Sequence, residues 1–351
     1  MSLLLSLAER GVLPDSLIRF GIRNLDQDRL NLEKRRRQND ALKFAEMLRA
    51  SPLALDVAKA NEQHYELPPA FFQKVLGTHL KYSSGYFPRG DESLDEGEAK
   101  ALELSCEHAA LEDGLDILEL GCGWGSLSLY MAERYRRSRI LGVSNSAPQR
   151  EFIEAACQAR GINNLKIVTC DINVFDPFQL APEFNEKRFD RVVSVEMFEH
   201  LRNYELLFAK IASWLKPGGM LFAHVFCHRR YAYLFDAASQ NDQGDWMNKH
   251  FFTGGMMPSE NLLPQFQRDL ELKEQWWWNG RHYGRTAELW LRNQDKQYRA
   301  IVPILAGVYG QDRARLWNQR WRIFFMACAE LFNFRRGEEW GVAHYRFARP
   351  G

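Results

Sequence analysis

Five short apolar runs constrain this chain more than any other feature: LDILELG (115–121), RILGVSN (139–145), LKIVTCDI (165–172), FDRVVSVEM (189–197) and MLFAHVFC (220–227). Each is rich in Val, Ile and Leu and too short for a buried helix, so each reads as a strand. Between them, 126–136, 147–161 and 203–219 carry helical periodicity. Such alternation builds βαβ units, and the strands then form a parallel sheet covered by helices on both faces.

The flanks are consistent with this core. A helix is expected over 93–112, with Ser93 as N-cap and Glu96 three residues on. Residues 14–60 read as helical, and a Leu-Pro-Pro step at 67–69 opens another helix. After residue 228 we expect helices such as 286–299 and 311–333, and two strands, 270–278 and 341–348, added as an edge hairpin. The expected fold class is therefore α/β, a Rossmann-like seven-stranded, mostly parallel sheet. A helical extension or lid over 1–92 precedes the domain over 93–351, and about 229–335 caps the substrate site.

Composition excludes several classes. Net charge is +1, so nothing pulls the chain towards nucleic acid. No stretch approaches a membrane span, and MSLLLSLAERG lacks the basic start of a signal peptide. The six cysteines form no CxxC pair, which points to a reducing, cytoplasmic setting. Ten Trp, 23 Phe and 12 Tyr would suit either a well-filled core or a pocket for a flat or cationic ligand.

The turn after the first strand, ELGCGWG (119–125), lets the backbone approach a ligand at the carboxyl edge of the sheet. Gly121, Gly123 and Gly125 give GxGxG, whereas the dinucleotide fingerprint wants GxGxxG. With Glu119 before it, CDI at 170–172 and LKPGG at 215–219, the pattern is typical of S-adenosylmethionine (SAM) methyltransferases. The second strand ends in GVSNSAPQ without the usual acid, leaving Ser144, Asn145 and Gln149 to hold the ribose.

Longer runs narrow the resemblance. ANEQHYELPPAFF (60–72), LKYSSGYF (80–87), LELGCGWGSLSLY (118–130), VEMFEHLRNYE (195–205), FFTGGMMPS (251–259) and GEEWGVAHY (337–345) resemble the cyclopropane-fatty-acid synthase family, and within it the coclaurine N-methyltransferases. The resemblance implies SAM as cofactor. Tyr82 and Ser83 would close over its methionine end, with Gly121, Gly123 and Glu196 beneath. Asn145, Gln149, Asp171 and Ile172 would take the adenosine end.

Two chemistries share this frame. Lipid cyclopropane synthases hold a bicarbonate base with a cysteine, the FEH glutamate, a fifth-strand histidine and a later tyrosine. Glu199, His224 and Tyr283 would match three of these, but the cysteine position is Ser84, as in the amine enzymes. That favours transfer to the nitrogen of a small-molecule amine, with the lipid reaction as the alternative and a binding protein without catalysis as a third reading. An alkyl amine with pKa roughly 10 arrives protonated, so a base helps. The resemblance points to Glu199 and His200, either of which could be that base. Trp321 and Phe324 are candidate pocket walls beside Ser84, His224 and Tyr283. Sulfonium methyl transfer needs no metal, so a site at His224, Cys227 and His228 is not expected. A homodimer stays open.

Overall fold

The computed structural model describes residues 3–36, 41–54, 67–184, 188–235, 246–247, 249–252 and 254–351. Seven strands make the main sheet: β1 (Asp116–Leu120), β2 (Arg139–Ser144), β3 (Leu165–Thr169), β4 (Phe189–Val195), β5 (Leu215–His228), β6 (Glu271–Trp278) and β7 (Trp340–Ala348). Their order is β3-β2-β1-β4-β5-β7-β6. The first five are parallel, while β7 runs antiparallel to both β5 and β6. Every residue of β1 is buried, as a central strand covered on both faces requires.

This order creates the site. The chain winds outwards from β1 through β2 to β3, then returns to place β4 on the other side of β1. The strands β1 and β4 stay paired to Leu120 and Ser194, and the loops that follow them leave in opposite senses, opening the crevice where such sheets bind ligands. The loop after β1 carries the glycine turn, and the loop after β4 carries Glu196 to His200.

The helices between strands follow from local signals. Helix α5 (Leu94–His108) begins with a complete capping box, in which Ser93 Oγ accepts from Glu96 N and the Glu96 carboxylate accepts from Ser93 N. Helix α7 (Ala147–Arg160) stops where Gly161 adopts φ 66°. Helices α6 (Ser126–Arg134) and α9 (Tyr204–Trp214) follow β1 and β4 as the crossovers to β2 and β5. The helix expected to run to 219 ends at Trp214. Pro217 and Gly218, the latter at φ 73°, cannot continue it, and the Lys-Pro-Gly-Gly segment enters β5 instead.

The cap differs more from expectation. Its first helix, α10 (Arg281–Lys296), starts five residues earlier than the sequence suggests. An unforeseen α11 (Tyr298–Tyr309) precedes α12 (Ala314–Asn333). The final two strands are paired as expected, but β7 inserts beside β5 and leaves β6 at the edge.

The N-terminal helix α2 (Asp15–Arg35) lies on α12 and is fixed to the cap by charge. Arg19 pairs with Glu288 and, at 2.9 Å, with Glu330, while Arg322 holds Asp15 at 2.7 Å. Helix α3 (Ala41–Arg49) follows, and the Leu-Pro-Pro step opens α4 (Pro69–Val75). Of the helical stretch expected over 14–60, Asp15–Arg35 and Ala41–Arg49 are helical and 50–54 are not, while 37–40 and 55–66, with the ANEQHYE part of the motif, lie outside the described residues. No helix among the described residues is long and apolar enough to cross a membrane.

Because the capping box satisfies two backbone donors, Ser93→Ala should cost about 1 kcal/mol of stability. Urea unfolding followed by circular dichroism measures it, with unchanged folded-state helicity expected.

Candidate active site

Gly123 has φ 52° and Gly125 φ 81°, left-handed conformations that strain other residues. A Cβ on Gly125 would lie 2.7 Å from Ile153 Cγ1, so this glycine is needed for α7 to pack. A Cβ on Gly123 would meet nothing within 4 Å. It would instead project into a cavity, which is where the backbone must stay bare for a ligand to approach.

That cavity gathers nearly all the residues expected to hold cofactor. Tyr82, Ser83, Gly121, Gly123, Asn145, Gln149, Ile172 and Glu196 line it. Asp171 does not: its Oδ1 accepts from Asn173 N at 2.8 Å, shaping the turn beside the wall. Gln149 accepts Ser144 Oγ at 2.6 Å through Oε1, yet its buried Nε2 has no partner among the described residues. An orphaned donor on a cavity wall suits a ligand hydroxyl or ring nitrogen, so the residues fit an adenosyl group. Glu119 is buried on the same wall, bonded to Ser128 Oγ, and burial pushes its carboxyl up to about 7.

A second cavity of about 1060 Å³ adjoins the first. Tyr82, Glu196 and His200 line both, so these three stand at the junction. The walls of the second cavity are mostly apolar and carry many aromatic rings, including Phe226, Phe252, Trp290, Phe324 and Phe332. Helix α2 supplies another wall. Its buried positions are Ile18, Ile22, Asp26, Leu30 and Glu33; the first four recur every four residues, so Asp26 sits between apolar neighbours on that stripe. Asp26 Oδ2 is buried without a partner among the described residues, and burial followed by the Glu330 charge raises its pKa well above the usual range.

Glu196 is the centre of the junction. Its backbone takes φ 48°, uncommon for a residue with a side chain. Its Oε1 accepts from Ser84 N at 3.0 Å and meets His224 Nε2 at 3.1 Å, and its Oε2 accepts Tyr283 OH at 2.6 Å. Burial acts to raise its pKa, but the His224 contact, the Lys81 charge and the Tyr283 bond reverse this, and the net shift is downwards. The carboxylate is therefore ionised at neutral pH despite its burial. Lys81, fully buried, donates to Ser83 Oγ at 2.5 Å and to Ser84 O at 2.7 Å. It thereby holds the Tyr82–Ser84 segment beside the glutamate. Burial lowers its own pKa to about 8.

Three sequence expectations need correction. Glu199 was expected to face the nucleophile, but it lines neither cavity. The single 3₁₀ turn Phe198–His200 points it inwards, where Oε1 accepts Phe226 N at 2.6 Å. Burial and then the Glu196 charge raise its pKa well above normal, so it is held neutral. Ser84 and His224 are wholly buried and reach the junction only through Glu196, whereas Tyr283 also lines the second cavity. Trp321 is packed behind the wall, with ring centroids 4.9 Å from Phe71 and 5.1 Å from Phe251, while Phe324 does line the cavity.

His200 lines both cavities and stacks on Phe252 at 5.6 Å. Burial lowers its pKa to about 4, so its ring is neutral. Lys81 and Asp26 were not foreseen as site residues. For Asp26 the signal was present in the four-residue spacing of α2. For the fifth-strand histidines, His224 bonds Glu196 while His228 Nδ1 accepts from Arg230 N and Tyr231 N. Cys227 is buried in the core, so these three side chains serve separate partners.

Comparison with known proteins is consistent with this geometry. Residues 55–339 match the family described as mycolic acid cyclopropane synthetase. The (S)-coclaurine N-methyltransferase of Thalictrum flavum subsp. glaucum is 36% identical over 306 residues, covering 86% of this chain and 82% of that protein. The cyclopropane-fatty-acyl-phospholipid synthase of Escherichia coli (strain K12) is 29% identical over 292 residues, covering 83% and 68%. A crystal structure of coclaurine N-methyltransferase bound to N-methylheliamine and S-adenosylhomocysteine superposes with a TM-score of 0.91 at 32% identity, covering 98% of each chain.

Gly123→Val should fill the first cavity. We expect S-adenosylhomocysteine affinity to fall at least about tenfold, or about 1.4 kcal/mol. Isothermal titration calorimetry measures it, with circular dichroism to show that the fold persists.

Proposed function

We propose that the methyl acceptor is the nitrogen of a hydrophobic aromatic amine of the benzylisoquinoline type; the chain itself belongs to the mycolic acid cyclopropane synthetase family and is a SAM-dependent methyltransferase. The observation that carries the proposal is the position of Glu196. Two side chains that a lipid synthase would turn towards bicarbonate, His224 and Tyr283, converge with the Ser84 backbone N–H on a carboxylate of the protein itself, while Ser84 Oγ donates to Gly85 O. An anion bound there would meet a fixed negative charge. A cationic ammonium in the adjoining cavity would be attracted by it, and by the aromatic faces around it.

SAM supplies an electrophilic methyl group on sulfur, and the residues of this chain handle the acceptor. Glu196, ionised and at the junction, attracts the ammonium and takes its proton. His200, neutral and lining both cavities, orients the nitrogen. The aromatic walls exclude water and hold the ring system, so that alignment of nitrogen and methyl provides most of the acceleration. Glu199 supports this arrangement from behind by fixing the backbone at Phe226. Helix α2 closes the cavity as a lid, and Asp26, kept protonated by burial, hydrogen-bonds a hydroxyl or ether oxygen remote from the amine. The free cysteines suit a reducing cytoplasm.

These roles separate the two glutamates. Glu196→Gln should lower kcat by about a hundredfold, within the usual range for general-base loss, with cofactor affinity nearly unchanged. Glu199→Gln replaces one neutral group by another of the same shape and should keep most activity. Steady-state kinetics with a panel of aromatic amines, with unsaturated phospholipid as comparator, decides this. Methylation of the lipid and not of any amine would refute the proposal.

The pH dependence follows from the same groups. Glu196 and His200 act in their unprotonated forms, and both have pKa values below the ordinary ones. Activity is therefore lost only as pH falls towards about 4, where His200 takes a proton. A kcat profile showing an acid limb near 6.5, the value of an unperturbed histidine, would contradict this. Asp26→Leu should raise KM for hydroxylated amines several-fold while leaving kcat for unsubstituted ones unchanged.

A further inference from the structure

The loop from α4 to α5 passes the junction of the two cavities, where Tyr82 lines both. It is fastened at each end. Gly77 N and His79 N donate to the two carboxylate oxygens of Glu98 at 2.8 and 3.0 Å, and Thr78 N donates to Asp95 at 2.7 Å, so α5 holds the start. Gly85 N donates to Thr286 Oγ1 at 2.9 Å and Phe87 N to His282 Nδ1 at 3.0 Å, so α10 holds the finish. Between these fastenings the strap 81–84 is neither helix nor strand.

Lys81 organises that strap. Its buried ammonium bonds within the strap itself, to Ser83 Oγ at 2.5 Å and Ser84 O at 2.7 Å. The turn this closes presents Ser84 N to Glu196 Oε1 at 3.0 Å. A buried ammonium is costly, and two neutral acceptors offset only part of the cost. The Glu196 and Glu98 charges favour the cation as well. The benefit is mutual, because Lys81 opposes the burial that acts to neutralise Glu196.

We infer that Lys81 is a positioning residue for methyl transfer: it folds the Tyr82–Ser84 strap onto Glu196 and supplies the charge that keeps this carboxylate able to take the ammonium's proton. The inference rests on the amine reading above, in which Glu196 is the base. No bond is made or broken at Lys81 itself.

The other groups around the junction do not replace that charge. His224 from β5 and His200 are neutral rings, and burial keeps the Tyr283 hydroxyl of α10 and the Cys328 thiol of α12 protonated. Glu199 is held neutral. Facing Lys81, Glu98 of α5 has its pKa raised to about 7 by burial, and the rings of His224 and His344 are neutral. Among these groups Lys81 alone is a cation at neutral pH.

The two tasks of the lysine separate with pH. Burial lowers its pKa to about 8, against the Glu196 and Glu98 charges, so it is mostly protonated at neutral pH and below. Above that value it is a neutral amine, which still has N–H groups for Ser83 and Ser84. Glu196, whose pKa is lowered, is then ionised without help. The charge therefore matters on the acid side, where a buried carboxylate without it takes up a proton.

Single-turnover methyl transfer to one aromatic amine, quenched and read as S-adenosylhomocysteine from pH 5 to pH 9, tests this. Dividing each variant's rate by the wild-type rate at the same pH cancels the titration of the amine. For Lys81→Met we expect a ratio that is level above about pH 8 and falls about tenfold or more by pH 5. Lys81→Gln, whose amide is a neutral donor to Ser83 and Ser84, should show the same fall and serves if the methionine variant does not fold. Ser83→Ala keeps the ammonium, so its ratio should stay level across the range; a fall there would trace the effect to the strap's shape and refute the role of charge. A ratio equally low at every pH in the Lys81 variants leaves a structural lysine and overturns the inference alone. A wild type whose own rate falls from pH 7 to pH 5 beyond the amine's titration overturns it too, because Glu196 is then not held ionised. A wild type that methylates unsaturated phospholipid and no amine overturns the acceptor reading, and the inference with it.

Discussion

A buried carboxylate that stays ionised is the constraint on which this molecule depends. Taking Glu196 out of water raises its energy, and only the Ser84 amide, the Tyr283 hydroxyl, His224 and the nearby Lys81 charge compensate. Those four groups come from three regions: the Lys81–Ser84 segment before α5, the first cap helix and the fifth strand. Each region must therefore be in register with the others before the glutamate can carry its charge. The left-handed backbone at Glu196 is a local strain that the surrounding bonds sustain.

The cavities divide the work by chemistry. One is built on bare backbone at the switch point of the sheet, where glycines admit a polar ligand closely. The other lies among apolar and aromatic side chains between the cap and the N-terminal helices. Arg19 and Arg322 tie α2 to the cap, so the helix that seals the aromatic cavity moves only if those ion pairs break.

Much of this was legible in the sequence because it is encoded locally. The strand runs, the capping box at Ser93, the glycine turn and the Gly161 stop all act within a few residues, and the structure shows each. What was not legible depends on rotation. Whether Glu196 or Glu199 faces the cleft is decided by one left-handed residue and a single 3₁₀ turn, which spacing alone cannot fix. Trp321 and Phe324 share an aromatic stripe on α12, and the roll of that helix puts one behind the wall and the other on it. His108 and His344 are 236 positions apart, and their contact exists only once β7 has found its place. Asp26 is the instructive omission, since an acid recurring in step with Ile18, Ile22 and Leu30 was open to reading.

The insertion of β7 between β5 and β6 has a consequence for biosynthesis. This strand leaves the ribosome after the other six, yet it occupies an interior position in the sheet. Until it arrives, β5 has an unpaired edge and the ring of His224 has no neighbour behind it. The first five strands can assemble as the chain is made and can shape the glycine turn early. The charged centre, by contrast, needs Tyr283 from the cap, which follows all five parallel strands in the chain, and the strand that backs His224 comes last of all.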